Sequence, residues 1–191
     1  FSGSSEMFGN AEKSPQNEET PFRPRNVYGL SKMAAYHLMR MYRERYGMFA
    51  CSGILFNHES PRRGHAFVTR KIASAVARIA LGSKEKLKLG DLSAKRDWGY
   101  SPDYVRAMWL MLQREKPGDY VIASGETHSV EELVEESFKI AGLNWKEHVE
   151  IDSNLLRYPD KTLLCGDSSK ARKILGWKPD VSFEELVKIM V

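Results

Sequence analysis

Tyr28 and Lys32 are separated by one turn of a predicted helix. Residues four apart on a helix lie on the same face, so the Lys32 ammonium can approach the Tyr28 phenol and favour its phenolate form. A phenolate in that position can take a proton from a sugar or alcohol hydroxyl. The spacing alone indicates little, because most Tyr-Lys pairs of this kind are simply surface residues of a helix.

Two polar segments flank this pair. Ser4-Ser5-Glu6 lies upstream, at the end of an apolar segment, and supplies hydroxyl groups and a carboxylate. Downstream, the run Asn57-His58-Glu59-Ser60-Pro61-Arg62-Arg63-Gly64 follows another apolar segment. These flanking segments make a catalytic role for Tyr28 the favoured interpretation over a purely structural one.

With these elements in view, the chain resembles the extended short-chain dehydrogenase/reductase family and, within it, the GDP-mannose 4,6-dehydratases. The resemblance runs along nearly the whole chain. The run from Asn57 to Gly64 is its most specific part, because sister epimerases and reductases carry different residues there. The other matching segments are Gly53-Ile54-Leu55-Phe56, Phe67-Val68-Thr69-Arg70-Lys71-Ile72, Lys95-Arg96-Asp97-Trp98-Gly99, Asp103-Tyr104-Val105, Ala107-Met108-Trp109-Leu110-Met111-Leu112 and Gly176-Trp177-Lys178-Pro179.

The resemblance implies a reaction that uses NADP. A sugar is oxidised at C4, loses water across C5 and C6, and is then reduced at C6. In that reaction Tyr28 is the base for the 4-hydroxyl, and Lys32 favours the phenolate and reaches the nicotinamide ribose. Glu6 removes the proton at C5. Ser4, which stands where the best-known relatives have Thr, hydrogen-bonds the sugar 4-oxygen.

Two residues of the Asn57–Gly64 run match positions that contact the cofactor in the family. The resemblance places His58 by the nicotinamide end and Arg63 by the phosphates, for which a guanidinium fork is suited. No metal is predicted, because the 5 histidines never fall into ligand spacing with acids or cysteines. The 2 cysteines follow no metal or disulfide pattern, and buried reduced thiols are the favoured interpretation.

The substrate implied by the resemblance is GDP-mannose, held mainly by the later part of the chain. The residues at substrate-binding positions of the family are Asn57, Lys71, Arg96, Arg157 and Asp160. Lys71 and Arg96 are the expected diphosphate partners, and Arg157 with Asp160 would address the nucleotide end. The family has Arg-Pro-x-Glu where this chain has Arg157-Tyr158-Pro159-Asp160, so base and acid are kept while the proline is shifted.

Composition predicts a soluble, globular protein of the cytoplasm. Hydrophobic residues make up 42% of the chain, and no apolar run approaches the roughly 20 residues that a bilayer requires. The net charge is +4 and the pI is near 9.0, but the basic residues are scattered along predicted helices. A small anionic substrate is therefore favoured, and no nucleic-acid or membrane partner is predicted. The resemblance implies a homodimer or homotetramer.

Strands that alternate with helices predict an α/β fold: the remnant of a Rossmann-type parallel sheet plus a smaller helix-rich substrate-binding lobe. Residues 1–56 are expected to form the C-terminal part of an NADP-binding Rossmann domain. Residues 57–191 are expected to form mainly the GDP-sugar-binding lobe, interleaved with returning Rossmann segments. The predicted helices cover 27–46 and 67–81, and others start at Ser101-Pro102-Asp103, at Asp167 or Ser168, and at the capping boxes Ser129–Glu132 and Ser182–Glu185. The predicted strands cover 49–56, 86–89, 96–99 and 120–123.

The family opens with a strand, a glycine-rich turn and a helix that receive the cofactor pyrophosphate. The 191 residues contain no G-x-G-x-x-G or related spacing. We therefore expect the C-terminal portion of such a dehydratase, inactive without its N-terminal half. Two alternatives stay open: a non-catalytic GDP-sugar-binding fragment, and another nucleotide-sugar reductase or epimerase. Glu6 and the run from Asn57 to Gly64 argue against the second.

Overall fold

The computed structural model of the chain describes residues 1–156 and 162–191, and within these ranges helices alternate with short strands. The helices are α1 (Val27–Tyr46), α2 (Val68–Ala80), α3 (Ser101–Leu112), α4 (Val130–Ile140), α5 (Ser169–Leu175) and α6 (Phe183–Met190). The strands are β1 (Ser52–Leu55), β2 (Asn57–Glu59), β3 (Leu87–Leu89), β4 (Lys95–Arg96), β5 (Trp98–Tyr100), β6 (Asp119–Ile122), β7 (His128–Ser129) and β8 (Val149–Ile151). Single 3-10 turns lie at Ser5–Met7, Trp145–Glu147 and Ser153–Leu155. The predicted α/β class is confirmed.

Parallel pairing dominates the strands. β1 pairs in parallel with β6, and Ser2 adds a parallel bridge to Gly53 on the other side of β1. β1 and β6 are buried along their whole length, as expected for parallel strands covered on both faces. Ile54 packs in the apolar cluster that contains α1 residues, and Leu55 packs in the cluster that contains α3 residues. The two helices therefore cover opposite faces of these strands.

A second packed region is built from α2, α4 and α6. Their apolar faces form one cluster with β3 and β5, in which Val76, Val134 and Phe138 are fully buried. β2 pairs in parallel with β5, β3 pairs in parallel with β8, and β4 pairs antiparallel with β7. β2 follows β1 after Phe56, which joins this region to the β1–β6 pair.

Helix α1 is anchored to β6 by a buried ion pair. The Arg43 guanidinium donates to both carboxylate oxygens of Asp119, at 3.0 and 2.7 Å, and to the Ala50 carbonyl at 3.0 Å. The Tyr36 hydroxyl also donates to Asp119, at 3.1 Å. Burial, reinforced by the Asp119 charge, raises the pKa of Tyr36 to about 12. This arrangement fixes the C-terminal half of α1 against β6.

The predicted capping boxes are formed to different extents. Ser182 forms the complete box with Glu185 at the start of α6. At the start of α4, Ser129 accepts from the Glu132 amide at 3.0 Å, but the Glu132 carboxylate pairs with His128 Nδ1 at 2.8 Å instead of returning to the cap. Because His128 binds the Glu132 carboxylate, only one of the two hydrogen bonds of this capping box forms.

The helix predicted to start at Ser101-Pro102-Asp103 is confirmed as α3, but Ser101 is not its N-cap. Ser101 is already the first residue of α3, and the preceding Tyr100 makes no side-chain cap hydrogen bond. Asp103 is buried and its carboxylate accepts from the backbone amides of Asp180 and Val181, at 2.9 and 3.2 Å. The Asp103 side chain thus joins α3 to the segment before α6.

The start of α1 lies directly against the turn Ser5–Met7. A Cβ atom at Gly29 would lie 2.4 Å from the Glu6 carbonyl oxygen, closer than any side chain can approach. The backbone of α1 therefore reaches Glu6 only because residue 29 has no side chain. This contact places Tyr28, the neighbouring residue on α1, at the same junction as Glu6.

We predict that Gly29→Ala destabilises the fold by about 3 kcal/mol, because the added methyl overlaps a backbone atom that cannot move alone. Helix propensity by itself would give the opposite sign, a stabilisation of about 1 kcal/mol. The measurement is the free energy of unfolding in urea. Gly64→Ala is the matched control, since its Cβ would meet only ring atoms of Phe67 at 3.7 Å or more. A Gly29→Ala protein as stable as this control would contradict the close contact.

Candidate functional site

The four predicted catalytic residues lie at the junction between α1 and the turn Ser5–Met7. Ser4 is buried and its hydroxyl accepts from the Glu6 amide at 3.2 Å. Lys32 Nζ donates to the Ser2 carbonyl at 2.9 Å and lies 5.7 Å from the centroid of the Tyr28 ring. Tyr28 is 53% exposed. The arrangement leaves a phenol open to a ligand, with an ammonium beside it and a carboxylate on the adjoining turn.

Two residues that the sequence analysis did not single out contact the Glu6 carboxylate. Asn26 Nδ2 donates to Glu6 Oε2 at 2.8 Å, and Arg25 Nη2 lies 3.5 Å from Glu6 Oε1. Asn26 is also the N-cap of α1, because its Oδ1 accepts from the Gly29 amide at 2.7 Å. An Asn immediately before a helix is a recognisable cap signal. Its second contact, to Glu6, was not visible in the sequence.

His58 lies on β2 with one ring nitrogen occupied. Its Nδ1 is 2.8 Å from the Phe56 carbonyl, which can only accept, so Nδ1 carries the proton. The ring stacks on Tyr104 with centroids 5.2 Å apart. Burial, helped by the nearby Arg63 charge, lowers the pKa of His58 below its ordinary value, although the bond to Phe56 opposes this. At neutral pH the imidazole is therefore uncharged, and Nε2 is its acceptor.

Arg63 is held between an aromatic ring and a buried carboxylate. Its guanidinium carbon lies 3.6 Å from the centroid of the Phe67 ring, and its Nε lies 3.1 Å from Glu59 Oε2 as an ion pair without hydrogen-bond geometry. Glu59 is 1% exposed and accepts from the Thr69 hydroxyl at 2.6 Å. Burial raises the pKa of Glu59, while Thr69 and Arg63 oppose the increase. Glu59 belongs to the run from Asn57 to Gly64, in which the resemblance implied no role for it.

The predicted substrate residues are distributed over the second packed region. Asn57 pairs with Trp98 between β2 and β5. Arg96 lies on β4 opposite His128 of β7, and its Nη1 donates to the Lys95 carbonyl at 2.6 Å. The remaining pair, Arg157 and Asp160, lies outside the described residues.

Lys71 lines a cavity of about 220 Å³ between α2 and β3. Its Nζ donates to the Lys88 carbonyl at 2.5 Å. The other charged residues of the lining are Arg78, Glu85, Lys86 and Lys88. The carboxylate of Glu85 lies 3.6 Å from Arg78. Four cationic side chains against one carboxylate make this cavity electropositive, which suits an anionic ligand.

The single strand predicted over 96–99 is wrong, because Asp97 interrupts it between β4 and β5. The buried Asp97 carboxylate accepts from the Ser124 amide and hydroxyl, at 2.9 and 2.7 Å, and from the amides of Gly125 and Gly166, at 3.1 and 3.0 Å. Burial raises its pKa, and these hydrogen bonds oppose the increase. Asp97 thus joins three segments that are far apart in the sequence, which no local pattern revealed.

Within residues 1–156 and 162–191, no group of three or more His, Cys, Asp or Glu side chains could hold a metal ion. Neither Cys51 nor Cys165 forms a disulfide, and Cys51 is buried. Burial raises the pKa of Cys165 to about 11, so its thiol stays protonated at neutral pH. Among the helices of the same ranges, none combines the length and the apolar character needed to cross a membrane.

The fold and these motifs define a member of the extended short-chain dehydrogenase/reductase class, which includes nucleotide-sugar epimerases and dehydratases. The protein called RMD from Pseudomonas aeruginosa, solved with NADPH, superposes with a TM-score of 0.91 at 25% identity, over 99% of this chain and 63% of that chain. The dTDP-glucose 4,6-dehydratase of Bacillus anthracis, solved with NAD, gives a TM-score of 0.87 over 99% of this chain and 59% of that one, and its 21% identity shows the fold alone.

The family is shown by sequence. The profile of the family described as GDP-mannose 4,6 dehydratase matches residues 1–190. GDP-mannose 4,6 dehydratase 2 of Arabidopsis thaliana is 60% identical over 99% of this chain and 50% of its own length. The human GDP-mannose 4,6 dehydratase is 50% identical over 98% of this chain and 55% of its own length. The chain belongs to the GDP-mannose 4,6-dehydratase family and spans about half the length of the curated relatives it matches.

We predict a specific pH dependence of stability for Glu59→Gln. The pKa of Glu59 is raised in the folded protein, so the folded protein binds the proton of the Glu59 carboxyl group more tightly than the unfolded chain does. The stability of the parent protein relative to the variant should therefore fall as the pH rises above about 4.3, the ordinary pKa of Glu. Urea unfolding at a series of pH values measures this.

Glu115→Gln, at an exposed position after α3, is the control for the loss of one carboxylate. If the stability of the parent relative to Glu59→Gln instead increased with pH, the ion pair with Arg63 would outweigh desolvation and the stated direction would be wrong.

Proposed function

We propose that this chain is the C-terminal part of a GDP-mannose 4,6-dehydratase. Such an enzyme converts GDP-mannose into GDP-4-dehydro-6-deoxy-D-mannose and water, with NADP as its bound cofactor. The observation that carries the proposal is the junction at which Ser4 and Glu6 adjoin the helix that carries Tyr28 and Lys32, in a chain of this family. Because the chain spans about half of its relatives, the activity belongs to a protein that also contains the cofactor-binding half.

The proposed division of the chain follows from this function. Residues 1–56, with the Ser2 bridge and β1, would complete a Rossmann-type parallel sheet that begins outside this chain. Residues 57–191 would form mainly the smaller lobe that holds the GDP-sugar, and β6 returns from it to the sheet. The helix cluster of α2, α4 and α6 supports such a lobe.

The residues at the predicted cofactor positions suit NADP. Arg63 is held in place by Phe67 on one side and Glu59 on another, and its planar fork matches phosphate oxygens. His58 is uncharged and rigidly oriented, which suits the nicotinamide end. When bound, NADP supplies reversible hydride acceptance, which is the chemistry that opens and closes the reaction.

Each catalytic residue then has one task on the sugar. Tyr28 takes the proton of the 4-hydroxyl, and Lys32, whose ammonium lies against the Tyr28 ring, favours the phenolate. Ser4 orients the sugar 4-oxygen. Glu6 removes the proton at C5, which a 4-ketone makes acidic, and passes it to the C6 hydroxyl, which leaves as water. The turn Ser5–Met7 and α1 hold these groups on rigid elements, as positioning for catalysis requires.

The electropositive cavity supports an anionic nucleotide sugar as the substrate. Lys71 and Arg96 would pair with the diphosphate of GDP-mannose, as their positions in the family imply, with Asn57 on the sugar side. Arg157 and Asp160, outside the described residues, would address the nucleotide end. The proposed assembly is a homodimer or homotetramer, and the exposed apolar residues of α1 support burial of this helix against a second copy; they include Leu38, Met41 and Tyr42.

Two other functions remain as outcomes of the test. A sister epimerase or reductase would have no elimination for the Glu6 carboxylate to catalyse, and the family match argues against it. A non-catalytic fragment that only holds a GDP-sugar would keep the cavity but show no turnover. The cytoplasmic location stays a prediction.

The direct test is incubation of the protein that includes the cofactor-binding half with GDP-mannose and NADP, followed by mass spectrometry. The expected result is a product lighter than the substrate by one water. Binding of GDP-mannose without water loss would support a non-catalytic GDP-sugar-binding role. Turnover of another nucleotide sugar in its place would support the epimerase or reductase.

Tyr28→Phe and Glu6→Gln should separate the two chemical steps. General acid–base residues of this kind increase the reaction rate by a factor of about 100 to 10,000. The rate of water loss should therefore fall at least about 100-fold in each variant. Tyr28→Phe should still bind GDP-mannose with an unchanged Kd. In deuterated water, Glu6→Gln should also fail to incorporate deuterium at C5. Equal loss of binding and turnover in Tyr28→Phe would show a structural role instead.

We further predict that Lys71→Ala weakens GDP-mannose binding about ten-fold, because a charge-assisted hydrogen bond to a diphosphate is lost. Lys84→Ala is the matched control: it removes one exposed lysine close to the cavity but outside its lining. Isothermal titration measures both values of Kd. Equal effects of the two substitutions would mean that the cavity attracts the ligand only through overall charge.

A further inference from the structure

Asn26 makes two contacts with different parts of the candidate site. Its Oδ1 accepts from the Gly29 amide at 2.7 Å, which fixes the first turn of α1. Its Nδ2 donates to Glu6 Oε2 at 2.8 Å, on the turn Ser5–Met7. The side chain therefore lies between the helix that carries Tyr28 and the carboxylate that faces it.

The chemistry of the amide makes this pairing directional. A backbone N–H can only donate and a carboxylate can only accept, so Asn26 must present its oxygen to Gly29 and its NH₂ group to Glu6. Asp at this position would keep the cap acceptor but would supply no donor to the Glu6 carboxylate. Ser would have a single hydroxyl for both contacts, and that hydroxyl ends one bond short of the Asn26 Oδ1 and Nδ2 atoms, so it could not hold both partners at these distances.

We propose that Asn26 is a positioning residue for the dehydration, because it fixes the Glu6 carboxylate relative to Tyr28 through one shared amide. The inference rests on the proposed function, in which Glu6 takes the proton at C5. In this role Asn26 acts through Glu6 and not on the substrate. It acts by limiting the rotation of the Glu6 side chain, whose other oxygen lies 3.5 Å from Arg25.

The charged groups around Glu6 set the expected effect of pH. Arg25 is the nearest cation, and the first turns of α1 add Tyr28 and Lys32 to the same junction. An aspartate at position 26 would place a second carboxylate against Glu6, where the parent has a hydrogen-bond donor. Like charges at this distance disfavour ionisation of the pair.

The test compares Asn26→Ser with Asn26→Asp in the enzyme that includes the cofactor-binding half. Both variants keep an N-cap acceptor, so both should unfold at the temperature of the parent. Asn26→Ser should lower kcat for water loss about ten-fold, with KM for GDP-mannose and the pH profile unchanged. Asn26→Asp should move the acid limb of the kcat profile to higher pH by about one unit, because two carboxylates then share one site.

The outcomes separate this inference from the proposed function on which it rests. Parent-like kcat and pH profiles in both variants would overturn the role of Asn26, as would a loss of kcat matched by an equal loss of thermal stability. Glu6→Gln is the reference variant. If Glu6→Gln dehydrates normally, the proposed role of Glu6 fails; if it is inactive while both Asn26 variants match the parent, only the present inference fails.

Discussion

The close contact between the start of α1 and the turn Ser5–Met7 is the constraint on which the candidate site depends. It exists because Gly29 has no side chain, so the helix backbone reaches the Glu6 carbonyl. Any larger residue would push the helix away and separate Tyr28 from Glu6. The Asn26 cap then holds the helix end and the carboxylate with a single amide. The geometry of the proposed reaction therefore depends on the absence of a Cβ atom at Gly29 and on the side chain of Asn26.

Buried carboxylates hold the surrounding elements in place. Asp119 anchors α1 to β6 through Arg43, Asp97 binds the amides of two separate segments, and Glu59 lies against Arg63. A buried charge is costly unless it is paired or hydrogen-bonded, so each of these acids requires its partners in fixed positions. The short strands make few hydrogen bonds of their own. The fixed partners of these buried carboxylates therefore help to define how the strands are arranged around the site.

The same physics connects the structural and the functional residues. Arg63 is rigid because Phe67 and Glu59 hold it. His58 is uncharged because burial and the Arg63 charge lower its pKa, and the contact of its Nδ1 with the Phe56 carbonyl fixes its orientation. A rigid cation and a neutral imidazole are what a phosphate and a nicotinamide require of their partners. The proposed cofactor contacts thus follow from packing that the fold needs in any case.

The sequence by itself determined the positions of the helices, the bounds of α1 over 27–46 and the family, because periodicity, helix-end signals and contiguous motifs are local properties. It also placed Tyr28 and Lys32 on one helix face. Only the tertiary structure decided that Asp97 breaks a predicted strand and that Asn26 reaches Glu6. These contacts join residues 20 to 69 positions apart. Local sequence patterns do not indicate such contacts, because the contacts form only when distant segments pack together.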